Sequence, residues 1–173
     1  MGVFSTASGS RKTRVVVGGV ALLGATALVL SGCAPTEEGG APAGDLTFKE
    51  SIGAAAYEEA GIDPSDVSLA EVYDLSTALE LDWMEDLALC KRGEAESLLR
   101  AGDTTLGGRI PVNPSGGLAC FGEAVPAQAL AQVCEITWQL RGQATGRQVE
   151  GARVGITANQ GLFGHGSSVI LSR

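Results

Sequence analysis

A twelve-residue segment rich in glycine and proline divides this chain into two parts with different patterns. Residues 106–117, LGGRIPVNPSGG, contain four glycines and two prolines. These residues disfavour both helix interiors and central strands. We expect loops there, around one short extended piece. We therefore expect one strand and several helices on the N-terminal side of this segment, and the remaining helix and strands on its C-terminal side.

Residues 46–173, called the body below, begin with a helix that has clear start and stop signals. Thr47 and Glu50 have the spacing of a capping box, and Gly61 is placed to end the helix. Apolar residues recur at helical spacing between these limits. The pattern predicts a buried stripe formed by Phe48, Ile52, Ala55, Ala56 and Ala60.

The remaining elements alternate between strand and helix patterns. Before the glycine-rich segment, we predict a strand at 67–73 and helices at 76–89 and 94–99, with Leu79, Trp83 and Leu87 facing inward. After it come a helix at 126–140 and strands at 152–158 and 168–171. The buried side of the later helix is expected to hold Leu130, Val133, Cys134 and Trp138. This order predicts an α/β fold, a mixed sheet with covering helices.

Charge and cysteine usage exclude some functions. The chain has a net charge of −8, and its first 33 residues carry three basic and no acidic groups, so the remainder carries −11. Such an acidic body would repel nucleic-acid phosphates and anionic lipids. No CxxC pair occurs and His165 is the only histidine, so a metal site has little support. Three cysteines, Cys90, Cys120 and Cys134, are expected to be buried thiols.

The N-terminal region has the pattern of an export signal. Arg11, Lys12 and Arg14 precede an uncharged apolar run at 15–30, which ends in Leu-Ser-Gly-Cys33. A basic start, a short apolar run and small residues before the cleavage point are typical of a secretory signal. The LSGC sequence resembles the bacterial lipobox, whose cysteine is lipidated. A single-pass anchor is an alternative, although sixteen residues are short for about 30 Å of hydrocarbon. An accidental apolar run is another.

We therefore predict three segments. They are a lipoprotein-type signal peptide with an apolar helix at 1–33, a flexible linker at 34–45 and a folded domain at 46–173. The signal would make the protein a membrane-anchored lipoprotein. If the leader is an artefact, the protein is cytoplasmic.

The order of motifs in the body resembles one enzyme family. The segments TLGGRIPVNPSGGL at 105–118 and QLRG…GRQVEGARV at 139–154 are the most specific. They are similar to the lipid-transfer, or sterol-carrier-protein, branch of the thiolase family. The resemblance implies one half of the thiolase fold, with helices covering a five-stranded mixed sheet. It also implies that the cysteine nucleophile lies in the other half, which this chain lacks.

The family's chemistry identifies candidate site residues, and this sequence departs from it at each one. Where the family has a histidine in an H-D-A/C-F motif, this chain has Tyr73, and where it has a G-H-P motif, this chain has Glu123. The final cysteine position falls near Asn159 and Gly161. Losing both histidines argues against thiolysis, since neither tyrosine nor glutamate restores an imidazole that could serve as both acid and base.

Tyr73 and Glu123 can still perform acid–base chemistry. The same branch includes aldolase-like proteins of steroid side-chain breakdown, which cleave β-hydroxyacyl-CoA thioesters without an acyl-cysteine. Such cleavage needs a base at the hydroxyl and a hydrogen-bond donor at the thioester carbonyl. His165 lies in the last loop, where thiolases approach substrate. In isolation, Tyr73 would be a strand-end tyrosine, Glu123 a surface acid and His165 an exposed loop residue.

The glycine-rich loop is the predicted substrate loop. In the family, glycines allow its backbone N–H groups to approach a thioester oxygen. The residues concerned are Asn113, Ser115, Gly116 and Gly117, with Asn159 and Gly161 from the final loop. No cofactor is expected to remain bound, because coenzyme A thioesters, acyl or steroid, are the substrates in the family.

Three hypotheses explain the combination of a leader and a thiolase-like half. In the first, which is our prediction, the body is an incomplete acyl-CoA-processing domain, of acyltransferase or aldolase-like lyase ancestry. It would be inactive alone and joined to its leader by fusion, decay or assembly error. In the second, the chain is a lipoprotein, anchored to the membrane through Cys33, that binds a lipid or sterol. In the third, it is a subunit of a split or steroid-aldolase-like enzyme whose partner is a thiolase N-terminal half or homologous subunit.

Overall fold

The computed structural model describes residues 46–124, 126–161 and 164–173, which form a mixed sheet covered by helices on both faces. Strand β1, Leu69–Val72, pairs in parallel with β2, Val154–Gln160, and β2 pairs in antiparallel with β3, Gly166–Ser172. This confirms the predicted α/β class with a mixed sheet. The predicted signal, Cys33 and the linker lie outside the described residues.

Five α-helices accompany these strands in the described part of the chain. They are α1, Phe48–Ala60; α2, Thr77–Asp86; α3, Ala95–Ala101; α4, Gly117–Phe121; and α5, Ala127–Arg141. A short 3₁₀ turn at Pro64–Asp66 joins α1 to β1. None of these helices is long and apolar enough to cross a membrane.

Helix α1 begins and ends as predicted but buries a different side. The Thr47 and Glu50 capping box is formed, and Gly61 ends the helix in a left-handed conformation. The buried residues are Gly53 and Tyr57, whereas Phe48 of the predicted stripe is 49% exposed. Tyr57 is fixed on the buried side, where its hydroxyl donates a 2.9 Å hydrogen bond to the carbonyl of Leu87. The predicted stripe was therefore wrong at Phe48, Ala55 and Ala60, which are exposed, whereas Ile52 packs against the core as predicted.

The two sheet faces carry separate apolar clusters. Ala70 and Val72 of β1, with Ile156 and Ala158 of β2, belong to the larger cluster, which includes side chains of α1, α2 and α3. On the opposite face, Leu69 packs with residues of α5 and the loop after it, Ile136, Leu140 and Val149. The described residues contain three strands, not the five that the resemblance implied. A single parallel bridge, Ala70 to Val112, adds the predicted extended piece.

Helix α5 buries its polar side and exposes the apolar side that was predicted to be buried. Leu130 is 66% exposed and Trp138 is 45% exposed, and Cys134 is exposed as well. The buried side is polar instead, and consists of Gln128, Gln132, Glu135 and Gln139 together with Ile136 and Leu140. This side packs on the sheet, where Gln132 Nε2 donates to the carbonyl of Ala158 at 3.2 Å. The prediction failed because it assigned apolar side chains to the sheet.

The described cysteines are free, and the expectation of buried thiols was wrong for most of them. Cys120 and Cys134 are exposed, and Cys90 is half-buried. Cys134 follows the reversed polarity of α5. Cys120 lies near the end of the short helix α4, where its sulfur packs beside Gly116.

Candidate functional site

Two residues expected at the site from the resemblance are in direct contact. Tyr73 directly follows β1, and Glu123 lies in the connection between α4 and α5. The Tyr73 hydroxyl donates a 2.6 Å hydrogen bond to Glu123 Oε1. Tyr73 is only 5% exposed, whereas Glu123 is exposed. The pair therefore joins a buried phenol to a carboxylate that solvent or a ligand can reach.

The environment of Tyr73 keeps its phenol protonated. Burial, together with the hydrogen bond to Glu123 and the charge of Glu123, raises the pKa of Tyr73 to about 12. The nearby amide of Gln128 opposes this shift. Tyr73 is thus a neutral hydrogen-bond donor throughout the neutral pH range. An unassisted tyrosine with this pKa is a poor base.

Hydrogen bonds attach the glycine-rich loop to β1, and they involve side chains from the loop and from the β1 region. Asn113 has a positive φ of 50°, and its Oδ1 accepts a 2.8 Å hydrogen bond from the backbone N–H of Val72. The Asn113 N–H in turn donates to the carbonyl of Ala70 at 2.8 Å. These bonds hold the start of the loop beside the residue that precedes Tyr73.

Two carboxylates of the same strand region hold the rest of the loop. Glu71 accepts from Ser115 twice, from the backbone N–H at 3.0 Å and from the hydroxyl at 2.7 Å. Asp74 Oδ1 accepts from the backbone N–H of Leu118 at 2.9 Å. The residues that hold the loop therefore flank Tyr73 in sequence.

Four consecutive backbone N–H groups of the loop donate hydrogen bonds to acceptors within the domain. Ser115 and Leu118 donate to the carboxylates just described. Gly116 donates to the carbonyl of Asn113 at 2.9 Å, and Gly117 donates to the Ser115 hydroxyl oxygen at 3.0 Å. The approach of this loop to a thioester oxygen stays a prediction. In this structure its N–H groups maintain the loop's own shape.

The remaining predicted residues lie at the other strand ends. Asn159, near the end of β2, is buried and bonds to α5, because its Nδ2 donates to Gln132 Oε1 at 3.3 Å. The Gly161 N–H donates to the carbonyl of His165 at 2.7 Å. His165 itself is exposed. Within the described residues, no hydrogen bond joins its imidazole to Tyr73 or Glu123.

Sequence reasoning missed Glu71 and Gln128. Glu71 is fully buried in β1, and burial raises its pKa to about 7 despite the hydrogen bonds from Ser115. Gln128 is buried near Tyr73. An acid inside the short apolar strand LAEV was a usable signal for Glu71, since such a residue needs a specific partner. No comparable signal marked Gln128.

The chain is similar in sequence and fold to several known proteins. Rabbit (Oryctolagus cuniculus) sterol carrier protein 2 is 46% identical over 108 residues, covering 62% of this chain and 20% of the relative. An acetyl-CoA acetyltransferase of Methanothermobacter thermautotrophicus is 43% identical over 119 residues, covering 68% of this chain and 31% of the relative. The solved structure named Ltp2-ChsH2(DUF35) aldolase matches with a TM-score of 0.62 at 30% identity, covering 72% of this chain and 31% of that one.

The matched relatives are much longer than the matched region. This chain spans about a fifth of the sterol carrier proteins and under a third of the acetyltransferase and the aldolase chain. A family profile described as thiolase C-terminal domain-like matches residues 36–173, which include every described residue. The chain belongs to the thiolase C-terminal domain-like family.

Proposed function

We propose that this domain supplies one half of a thiolase-type acyl-CoA site whose chemistry is aldol cleavage of a β-hydroxyacyl-CoA thioester. The observation that carries the proposal is the 2.6 Å hydrogen bond between Tyr73 and Glu123. These residues stand where the resemblance expects two histidines. Their contact gives the domain an acid–base pair without an imidazole or a nucleophilic cysteine. The likeness to a structure named as an aldolase supports the same reading.

The pair can complete the cleavage with its protons in balance. Glu123 takes the proton from the β-hydroxyl, the bond between Cα and Cβ breaks, and a carbonyl forms at Cβ. The electron pair moves through Cα to the thioester oxygen as an enolate. Protonated Glu123 accepts less strongly from Tyr73, so the phenol donates to the enolate oxygen. Glu123 then returns its proton to Cα, which releases a shortened acyl-CoA and a ketone or aldehyde.

The raised pKa of Tyr73 suits this division of roles. A phenol with a pKa of about 12 stays protonated at neutral pH and can stabilise an enolate by donation. Glu123 is exposed and can reach a substrate hydroxyl. Thiolysis would require an acid–base group that serves both the thiol and the leaving carbon. Neither residue of the pair provides that as an imidazole does.

We also propose that the domain needs a partner half, through the outer face of α5. The outer face is defined by Ala127, Leu130, Cys134 and Trp138, all of which are exposed and uncharged. A helix face of this kind on a soluble surface usually marks a contact site. The relatives that match this domain are three to five times longer than the matched part. The partner is accordingly a thiolase N-terminal half or a homologous subunit.

A chimera tests the reaction. Residues 46–173 replace the matching part of the acetyl-CoA acetyltransferase relative, and the product is assayed with a β-hydroxyacyl-CoA and, separately, with a β-ketoacyl-CoA plus coenzyme A. Cleavage of the hydroxyacyl substrate alone is the expected result. Tyr73→Phe and Glu123→Gln should each reduce that rate by about 10²-fold or more. Cleavage that persists in both variants overturns the assigned roles.

The substrate and the location are tested separately. Steroid-CoA thioesters and simple acyl-CoA thioesters can be compared in the same chimera, and the ratio of kcat/KM gives the preferred class. The intact mass of the native chain tests lipidation at Cys33. A mature chain that begins at a diacylated Cys33 would favour the membrane-anchored lipid-binding hypothesis over the acyl-CoA enzyme.

A further inference from the structure

Glu71 is a buried acid without a cation partner in the described part of the chain. It is fully buried in β1, and no described lysine or arginine forms a salt bridge with it. Its two carboxylate oxygens instead accept separate hydrogen bonds from the N–H and hydroxyl of Ser115. The Ser115 oxygen in turn accepts from the N–H of Gly117. One carboxylate thereby determines the orientation of the central loop residue.

The carboxylates around Glu71 oppose its ionisation, whereas Arg147 favours it, since the charge of Glu71 helps to raise the pKa of Arg147. Glu135, buried on α5, faces it and forms a 2.6 Å ion pair with Arg147 from the loop after α5. Asp74, beyond the end of β1, also raises the pKa of Glu71, and its effect follows those of burial and Glu135. On the neighbouring strand, the residue paired with Glu71 is the uncharged Thr157. The hydrogen bonds from Ser115 therefore stabilise the ionised form against its surroundings.

We propose that Glu71 is a protonation-dependent positioning residue, which fixes residues 113–118 beside Tyr73 when it is ionised and loosens them when it is neutral. The ionised carboxylate can accept both hydrogen bonds from Ser115. The neutral acid carries a proton on one oxygen, so that oxygen accepts more weakly and the bond from Ser115 there is weakened or reversed. The orientation of the Ser115 hydroxyl is then less well fixed, and so is its bond from Gly117.

The switch falls near neutral pH. Because the pKa of Glu71 is raised to about 7, both forms are populated there, and the loop is held more firmly as the pH rises. An effect of the loop on cleavage rests on the proposed function. The hydrogen bonds from Ser115 to Glu71, and their dependence on protonation, are independent of the proposed function.

Hydrogen exchange of the full chain tests the proposal without a substrate. Exchange of peptides covering residues 111–121 is followed by mass spectrometry between pH 5.5 and 8.5, with intrinsic rates corrected. Protection should rise roughly tenfold through pH 7, since a charge-assisted hydrogen bond is gained. A peptide covering α3, Ala95–Ala101, is the internal reference, and the protection of the loop is expressed relative to it because global stability itself changes with pH.

Two variants separate the carboxylate from the loop. Glu71→Gln should show the low protection of the neutral state at every pH. Ser115→Ala keeps the ionisable group but removes the hydroxyl contact, so its step should shrink strongly even if Glu71→Gln does not fold. Constant protection in the wild-type chain, or a full step in either variant, overturns the proposal. A loop that responds as expected in a chain whose chimera fails to cleave would reject the proposed reaction only.

Discussion

Asp74 occupies the space in which any side chain at position 117 would lie. A Cβ built on Gly117 would overlap the Asp74 carboxylate, and the φ of Gly117 is +62°. Both the left-handed backbone and the close approach therefore require glycine there. The carboxylate that excludes a side chain at 117 also accepts the hydrogen bond from Leu118, so the loop and the strand end fit together at this point.

Gly117→Ala should be more destabilising than Gly142→Ala. Gly142 also has a positive φ, of +69°, in a left-handed conformation, but a Cβ there would meet nothing within 4 Å. Alanine at 142 should cost only the left-handed conformation, about 1–2 kcal/mol. Alanine at 117 should cost that and the displacement of Asp74, about 3 kcal/mol in total. Urea unfolding of both variants measures the difference, and equal losses would contradict the role of Asp74.

Neither tyrosine of this chain should ionise below pH 11. Burial raises the pKa of both Tyr57 and Tyr73, the latter to about 12. Absorbance at 295 nm, followed from pH 8 to 13, measures phenolate formation. Glu123→Gln removes a neighbouring charge that raises the pKa of Tyr73, so one transition should move downward. Tyr73→Phe should abolish that transition, which identifies it.

Folding stability should fall between pH 4.5 and 7 because of Glu71. The unfolded chain loses this proton near the ordinary value of 4.5, whereas the folded chain keeps it up to about 7. The folded state therefore binds more protons in this window, and its stability decreases as the pH rises through it. The full contribution is about 3 kcal/mol. Glu71→Gln should flatten this slope in denaturant titrations, and an unchanged slope would refute the assignment to Glu71.

Breaking the Glu135–Arg147 pair should cost far more than breaking a surface pair. Glu135 is 2% exposed at its side chain and Arg147 is 35% exposed. Arg147→Met leaves a buried charge without its cation and should cost about 2–3 kcal/mol, less than for a wholly buried pair. The control is Arg100→Met, whose partner Glu96 is exposed in an i,i+4 pair. That change should stay within about 0.5 kcal/mol.

Substitutions on α5 should distinguish its two faces. Leu130 is 66% exposed and Leu140 is 6% exposed on the same helix. Leu130→Asp should leave thermal stability nearly unchanged but prevent association with an added thiolase N-terminal half, measured by light scattering after gel filtration. Leu140→Ala should cost about 2–5 kcal/mol. A large stability loss in Leu130→Asp would mean that the outer face is already packed within this domain.

The contact between Tyr73 and Glu123 was foreseeable only through resemblance. These residues are 50 positions apart, and neither lies in a pattern that periodicity can connect. The boundaries of most elements were predictable, because Thr47, Glu50 and Gly61 are local signals of helix ends. The contact partners of those elements were not.

Helix α5 illustrates why burial was harder to predict than helix position. Sequence reasoning assumed that Leu130 and Trp138 would face the sheet, as apolar residues of a self-contained domain do. The sheet side instead holds Gln132 and Glu135, which are satisfied by Asn159 and Arg147 from distant segments. Periodicity finds a helix but does not say which neighbour each side meets.

The parallel pairing of β1 with β2 affects the order of events during synthesis. Ser68 and Val154, which meet at the start of that pairing, are 86 positions apart in the chain. The pairing of β1 with β2 cannot be completed until residues 155–158 have left the ribosome. Such non-local pairing slows folding. During translation, the early helices α1 and α2 must therefore wait without their sheet, and this interval is when chaperones would bind the nascent chain.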